Sequence, residues 1–297
     1  MRLQRELIPV PPEPLALKAP ERSIGAVLVQ AGRLRPQDTA PILELQRRKG
    51  LRFGEAAREL GLITAADVEL ALARQFDHPC LQRGESEVSE EVLAAYQPFS
   101  PPVEALRALR GELMLRWLDP EPGPKALAIL SAARKEGRSF IAANLAVVFS
   151  QLGRRTLLVD ADLRNARQHR LFGLDNRAGL SAVLSGRAAA HETIQHVASL
   201  PRLAVLPAGT APPSPQDLLA RPAFAQLLPQ LAAQFDLILL DCPPASHHAE
   251  AQTIAVRAAA ALIVVRKNAS RMWRVQGISA AVPQAKCTLV GAVLNEF

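Results

Sequence analysis

The sequence is poor in aromatic residues. Phe, Trp and Tyr make up 4% of its 297 residues, and Tyr96 is the single tyrosine. Surfaces that bind single-stranded nucleic acid stack bases on such side chains, so nucleic acid is not an expected partner. Cysteine is scarce as well. Cys80, Cys242 and Cys287 are far apart, odd in number and form no Cys-x-x-Cys pair. That pattern argues against a disulfide framework or a zinc site, and a reducing cytoplasm is the simplest setting for it. Apolar runs are short: Ala258 to Val265 is the longest clean one late in the chain, too short to span a bilayer. The opening MRLQRELIPVPPEP lacks the apolar core of a signal peptide. A soluble chain with no transmembrane segment is expected. The net charge of +7 is carried mainly by arginine, since lysine occurs only at 18, 49, 125, 135, 267 and 286. A charge this modest suits acidic ligands or membrane surfaces and does not by itself imply DNA.

Apolar residues account for 49% of the chain and charged ones for 21%, enough for a sizeable core and, at this length, for two domains. The spacing predicts a proline-rich tail over 1–20, a small helical domain over 21–81, a linker with one short helix over 82–102, and an α/β domain over 103–297 that begins with a helical stretch at 103–118. Within the first domain, Ser23–Gln46 and Arg52–Gln75 repeat with an offset of 29 residues, matching Gly25 to Gly54, Gly32 to Gly61, Asp38 to Asp67, Leu43 to Leu72 and Gln46 to Gln75. Each copy reads as a short helix stopped by glycine, then a second helix whose cap and first turn lie at PQD or TAAD.

In the C-terminal domain, continuous apolar runs at Ala126–Ser131, Thr156–Asp160, Leu203–Pro207, Leu237–Asp241, Ala260–Val265 and Leu289–Leu294 read as strands buried on both faces. Helical patterns at Ser139–Leu152, Ala223–Phe235 and Arg271–Val282 alternate with them. This predicts a doubly wound parallel sheet preceded by a small, mainly helical domain.

Three features could carry chemistry. After the first strand comes SAARKEGRSF. A phosphate loop needs a tight turn of backbone N–H groups opening a helix, a cation for the β/γ-phosphates and a hydroxyl for magnesium. Gly137 and Ser139 fit; Arg138 stands at the cation position and Lys135 where a second glycine would help. Taken alone, the stretch fits a phosphate loop or an ordinary strand–helix turn. The second strand ends in Asp160, with Asp162 close behind, at the carboxyl edge where open α/β folds bind ligands. Such acids can hold magnesium, act as a base, or merely cap a turn. The fourth strand ends at Asp241, like the acid that meets magnesium in nucleotide-hydrolysing folds. Three such features in order are more specific than any one of them.

The stretch from about Val103 to Phe297 resembles the cytoplasmic domain of bacterial tyrosine kinases of capsule and exopolysaccharide synthesis, nearest the chain-length-determinant kinases of the EpsG type. These belong to the deviant P-loop ATPases, with the septum-positioning and plasmid-partition ATPases. The matching text is EGRSFIAANLAVVFSQLGRRTLLVDADLRNARQHRLFG, GLSAVLSG, LAVLPAGTAPPSPQDLL, FDLILLDCPP and GAVLN. The resemblance implies that Lys135, Glu136, Gly137, Arg138, Ser139, Phe140 and Asp241 hold ATP. It implies that Ser139, Asp162 and Asp241 bind Mg2+, and that Asp160, Asp162 and Arg138 are catalytic, Asp160 orienting or deprotonating the attacking hydroxyl. Glu104, Arg107 and Arg110 match the Glu-x-x-Arg-x-x-Arg helix by which these kinases assemble into homo-oligomers, and steps of three keep them on one face. The implied partner is a membrane chain-length-determinant protein that recruits a cytoplasmic chain to the membrane. Arg138, Lys135 and the absence of a tyrosine cluster near VLNEF are departures from the family pattern, and they favour a rival: a nucleotide- or dinucleotide-responsive scaffold with little catalysis. A partition-type ATPase is a third option, although the lysine usual four residues before Gly137 is Ala133 here.

The repeat domain is similar to the N-terminal domain of type II secretion and type IV pilus assembly ATPases, whose paired motifs bind cyclic di-GMP. The spacer here, Arg47–Leu51, matches in length. Arg52 opens the second copy, whereas Ser23 stands at that place in the first. Cyclic di-GMP at Arg52 is thus an expected ligand, beside a plain protein-docking role. His247, His248, Cys242 and Tyr96 read as structural.

Overall fold

The computed structural model describes residues 23–75, 80–119, 125–246 and 248–296. The expected tail over 1–20 and most of the loop DPEPGPK lie outside them. The chain divides into two compact units after Gln75.

The first unit holds α1 (Ile24–Gln30), α2 (Thr39–Lys49), α3 (Phe53–Glu59) and α4 (Ala65–Gln75), with a 3-10 turn at Pro36–Asp38 before α2. The Ser23 hydroxyl accepts from the Ala26 N–H, and Thr64 and Asp67 cap α4 reciprocally, Thr64 N–H to Asp67 Oδ2 at 2.9 Å and Asp67 N–H to Thr64 Oγ1 at 3.2 Å. The repeated glycines do two jobs. Gly32 and Gly61 end α1 and α3 in the left-handed conformation, at φ of 66° and 67°. Gly25 and Gly54 let helices approach closely: a Cβ on Gly25 would lie 3.0 Å from the Phe53 ring, and one on Gly54 3.1 Å from Val68. Val27, Leu28, Ile42, Leu45, Ala56, Ala57 and Ala71 close the core.

The second unit contains α5 (Leu93–Tyr96), α6 (Pro101–Leu113), β1 (Lys125–Ser131), α7 (Arg138–Gln151), β2 (Thr156–Asp160), α8 (Gln168–Phe172), α9 (Leu180–Leu184), α10 (Ala190–Thr193), β3 (Gln195–His196), β4 (Leu203–Leu206), α11 (Pro215–Ala220), α12 (Pro222–Ala232), β5 (Leu237–Asp241), α13 (Glu250–Ala258), β6 (Ala260–Arg266), α14 (Met272–Gln284) and β7 (Thr288–Asn295). The strands form one sheet in the order β3-β4-β2-β5-β1-β6-β7, parallel except for β3, which runs antiparallel at the edge. Alternate strand residues face opposite layers: Ala128, Leu130, Ile238 and Leu240 pack under α11 to α14, and Leu127, Ile129, Leu237 and Leu239 under α5 to α8.

The stretch 82–102 does not behave as a linker. Val88, Val92, Ala94 and Ala95 are buried with α7 and the sheet. The reason lies in α7, which is apolar on all sides and so needs cover on its outer face as well as on the sheet. Its polar residues hold that cover down: Asn144 Oδ1 accepts from the Ala94 N–H at 2.8 Å, and Gln151 Nε2 donates to the Ala94 carbonyl at 2.8 Å. The helix expected at 103–118 begins at Pro101, after Ser100, and its α-helical part ends at Leu113; a π turn covers Met114–Leu118.

Candidate nucleotide site at the carboxyl edge of the sheet

Asp160 and Asp241 end β2 and β5 as direct neighbours across the sheet. Beside them the chain leaves β1, turns through 132–137 and enters α7. Lys135 adopts φ of 63°, the conformation of the glycine whose place it takes, and Gly137 caps α7 at φ of 92°. A Cβ on Gly137 would meet Asn295 Nδ2 at 2.0 Å, so glycine is required there by contact as well as by φ. The loop is pinned from the far strands: Asn295 Nδ2 donates to the Glu136 carbonyl at 3.0 Å, and Arg266 Nη1 to the Lys135 carbonyl at 2.9 Å. Glu136 is buried and accepts from the Ala133 N–H at 2.7 Å and from the Ser270 hydroxyl. Its place is therefore inside the loop, as a brace. Lys135 is exposed, and Ser139 and Phe140 are half-buried on the first turn of α7.

Arg138 points inward. Its side chain is 8% exposed, and it donates from Nε to Asp241 Oδ1 at 3.0 Å, from Nη2 to Asp162 Oδ2 at 3.0 Å, and from Nη1 to Ser131 Oγ at 2.9 Å. Burial alone would lower its pKa; the two aspartates outweigh that and raise it. Gln168 donates from Nε2 to the remaining oxygen of Asp241 at 2.7 Å and to the Ser139 carbonyl at 3.1 Å. The remaining oxygen of Asp162 accepts from the Asn165 N–H at 3.0 Å. Burial raises the Asp162 pKa, against the pull of Arg138.

Asp160 is fully buried. Its Oδ2 accepts from the N–H groups of Arg167 and Gln168, both at 2.8 Å, while Oδ1 has no partner among the described residues. Burial first, and then the charge of Asp241, push its pKa up to about 8, so it carries a proton at neutral pH in this arrangement.

The sequence-predicted residues thus converge, with Asp160, Asp162, Asp241, Arg138 and Ser139 at one edge. Gln168, Arg266 and Asn295 were not foreseen, because their contacts span 29 to 159 residues of chain; Ser131 and Asn165 contact residues 7 and 3 away but belong to no motif. Magnesium needs the oxygens of Asp162 and Asp241, and each of the four already accepts an N–H. With Arg138 inside, the donor set does not fit a divalent cation. Cys242, expected to be structural, is buried as a neutral thiol, its pKa pushed well up by burial.

Glu104, Arg107 and Arg110 lie on α6. Glu104 pairs with Arg107, and Arg110 Nη1 donates to the Val148 carbonyl of α7 at 2.7 Å. His248 precedes α13 and lies 3.9 Å from Glu250, its first residue, and His247 lies outside the described residues. Tyr96 donates its hydroxyl to the Val88 carbonyl.

This sheet order, loop and acid pair define a P-loop ATPase-type α/β domain. Residues 126–293 match the family model for cellulose biosynthesis protein BcsQ. Tyrosine-protein kinase YwqD of Bacillus subtilis is 32% identical over 210 residues, which are 71% of this chain and 87% of that one. Tyrosine-protein kinase etk of Escherichia coli K12 is 32% identical over 203 residues, 68% of this chain and 28% of that one. The chain belongs to this P-loop family, with the bacterial tyrosine-protein kinases. It spans only 27% and 28% of the length of relatives from Ralstonia solanacearum and Escherichia coli. Among solved structures, the kinase domain of Escherichia coli tyrosine kinase ETK matches with a TM-score of 0.67 at 32% identity, covering 73% of this chain and 83% of that one. The septum site-determining protein MinD from Pyrococcus horikoshii, complexed with Mg-ADP, matches with a TM-score of 0.52 at 25% identity, covering 58% and 70%. Among the described residues no helix is long and apolar enough to cross a membrane.

Proposed function

We propose that the chain is a tyrosine-kinase-like ATPase that binds ATP with magnesium and controls the length or export of an exopolysaccharide. The observation that supports it best is the register pair Asp160–Asp241 beside a glycine-capped loop that opens a buried helix. In this reading the loop N–H groups and the first turn of α7 receive phosphate. The buried Asp160 holds a proton at neutral pH and accepts one from a hydroxyl only as pH approaches about 8. Positioning and charge stabilisation account for most of phosphoryl transfer, so few groups are needed. The partner is a membrane chain-length-determinant protein, and Glu104, Arg107 and Arg110 serve self-assembly. The test is the full chain with ATP and magnesium, with and without that partner, assayed for ADP release and phosphotyrosine. Neither product under either condition rejects the enzyme reading.

A second reading, a nucleotide-responsive scaffold with little catalysis, is favoured by Arg138, which is tied to both acids where a lysine would meet phosphate. A partition-type ATPase has less support, since Ala133 stands at its usual lysine position. For the first unit, cyclic di-GMP binding rests on exposed Arg52 alone, because the repeated glycines are accounted for by helix stops and helix packing.

A further inference from the structure

We infer that the guanidinium of Arg138 is the resident cation of the ligand-free site, and that a divalent cation enters only after it has withdrawn. The inference borrows from the proposed function only the identity of the competing ligand.

Asp162 and Asp241 are 3% and 0% exposed, and two buried carboxylates require compensation. Arg138 gives it to both, at 3.0 Å each, and extends a third arm to Ser131. A planar fork spreads five N–H groups over three nitrogens and meets two carboxylates and a hydroxyl, one nitrogen to each; an ammonium carries its three N–H groups on a single nitrogen. The two oxygens that Arg138 leaves are taken by Asn165 N–H and Gln168 Nε2. Withdrawal of Arg138 uncovers two negative charges with no counter-charge, a site that calls for a divalent cation. Arg138 is also the first residue of α7, in the loop assigned to nucleotide phosphates. Phosphate oxygens and two aspartates therefore compete for one side chain. Loading becomes an exchange: the arginine leaves the acids for the phosphates, and the metal takes the place it left.

The experiment needs no nucleotide. Thermal unfolding and calorimetric magnesium titration are run on the full chain, on Arg138→Met, which keeps length without charge, and on Arg138→Lys. The parent should melt at one temperature in chelator and in millimolar magnesium. Arg138→Met should melt lower in chelator, recover with magnesium, and bind the metal tighter than the parent by on the order of a hundredfold. Should the methionine variant fail to fold, Arg138→Lys, whose single nitrogen replaces the three that make the guanidinium's contacts, should still gain magnesium-dependent stability that the parent lacks. A parent stabilised by free magnesium as much as its variants overturns the inference, and so do variants that melt like the parent and ignore the metal. ADP is then added to the parent in chelator. No binding there counts against the proposed function, while the metal readout still decides the role of Arg138.

Discussion

Replacing Asp160 by asparagine removes a titration that the fold forces on this carboxyl. In the unfolded chain the group releases its proton at the ordinary value of 3.8; in the folded domain burial and Asp241 hold the proton to about 8. Between those limits the native state binds one proton more than the unfolded state. The stability linked to this group is therefore fully present below 3.8, falls as pH rises, and is gone above about 8. The slope of a single group is about 1.4 kcal/mol per pH unit, so the parent should lose roughly 2–3 kcal/mol to this site between pH 5 and 7. Asparagine keeps the acceptor for the Arg167 and Gln168 N–H groups, at 2.8 Å in the parent, and does not titrate. Its amide N–H lies where Oδ1 has no partner, which costs about 1–3 kcal/mol at every pH and offsets the curve without tilting it. At roughly 2–4 °C per kcal/mol for a unit of this size, the melting temperature of Asp160→Asn minus that of the parent should rise by about 5–10 °C from pH 5 to 7 and level off above pH 8. The assay is thermal unfolding in chelator without nucleotide. Titrating groups away from this site are shared and cancel in the difference. A gap that stays flat or narrows over this range refutes the buried, protonated Asp160.

Gly137→Ala should unfold at a markedly lower temperature, because its methyl would meet Asn295 Nδ2 at 2.0 Å in a left-handed backbone, and Asn295→Ala in the same chain should restore part of the loss. Arg107→Glu places like charge against Glu104 and removes the proposed assembly contact; light scattering should give a smaller particle than the parent, and an unchanged mass argues against assembly through α6. Titration of the full chain with cyclic di-GMP, with GTP as control, should show binding that Arg52→Ala weakens; binding indifferent to that change removes the role of Arg52, and no binding leaves protein docking as the role of the first unit.

Much of this architecture was legible because parallel strands write themselves as apolar runs ending in acid. β2 and β5 have the expected bounds, Thr156–Asp160 and Leu237–Asp241. What escaped was of three kinds. β3 is two residues long and antiparallel, and helices such as α9 and α10 are of one turn, too short for any period to register. The cover over 88–95, read as linker, was hidden by the charge and proline around it, although α7, apolar all round, carried the signal that something must lie on it. At the site, residue types and their order gave Asp160, Asp162, Asp241 and the loop. The direction of Arg138 was not readable, since its partners are 24 and 103 residues away and a cation in a phosphate loop ordinarily faces out. Gln168 and Asn295 were invisible for the same reason: an amide becomes a site residue only through what the fold sets beside it.

The most direct test of the account is a calorimetric titration of the full chain with ADP, with and without magnesium, for the parent and Asp241→Asn. The account predicts saturable one-site binding to the parent, and in the variant a loss of affinity that is larger with magnesium than without it. No binding to the parent, or equal affinities for the two proteins in magnesium, would contradict it.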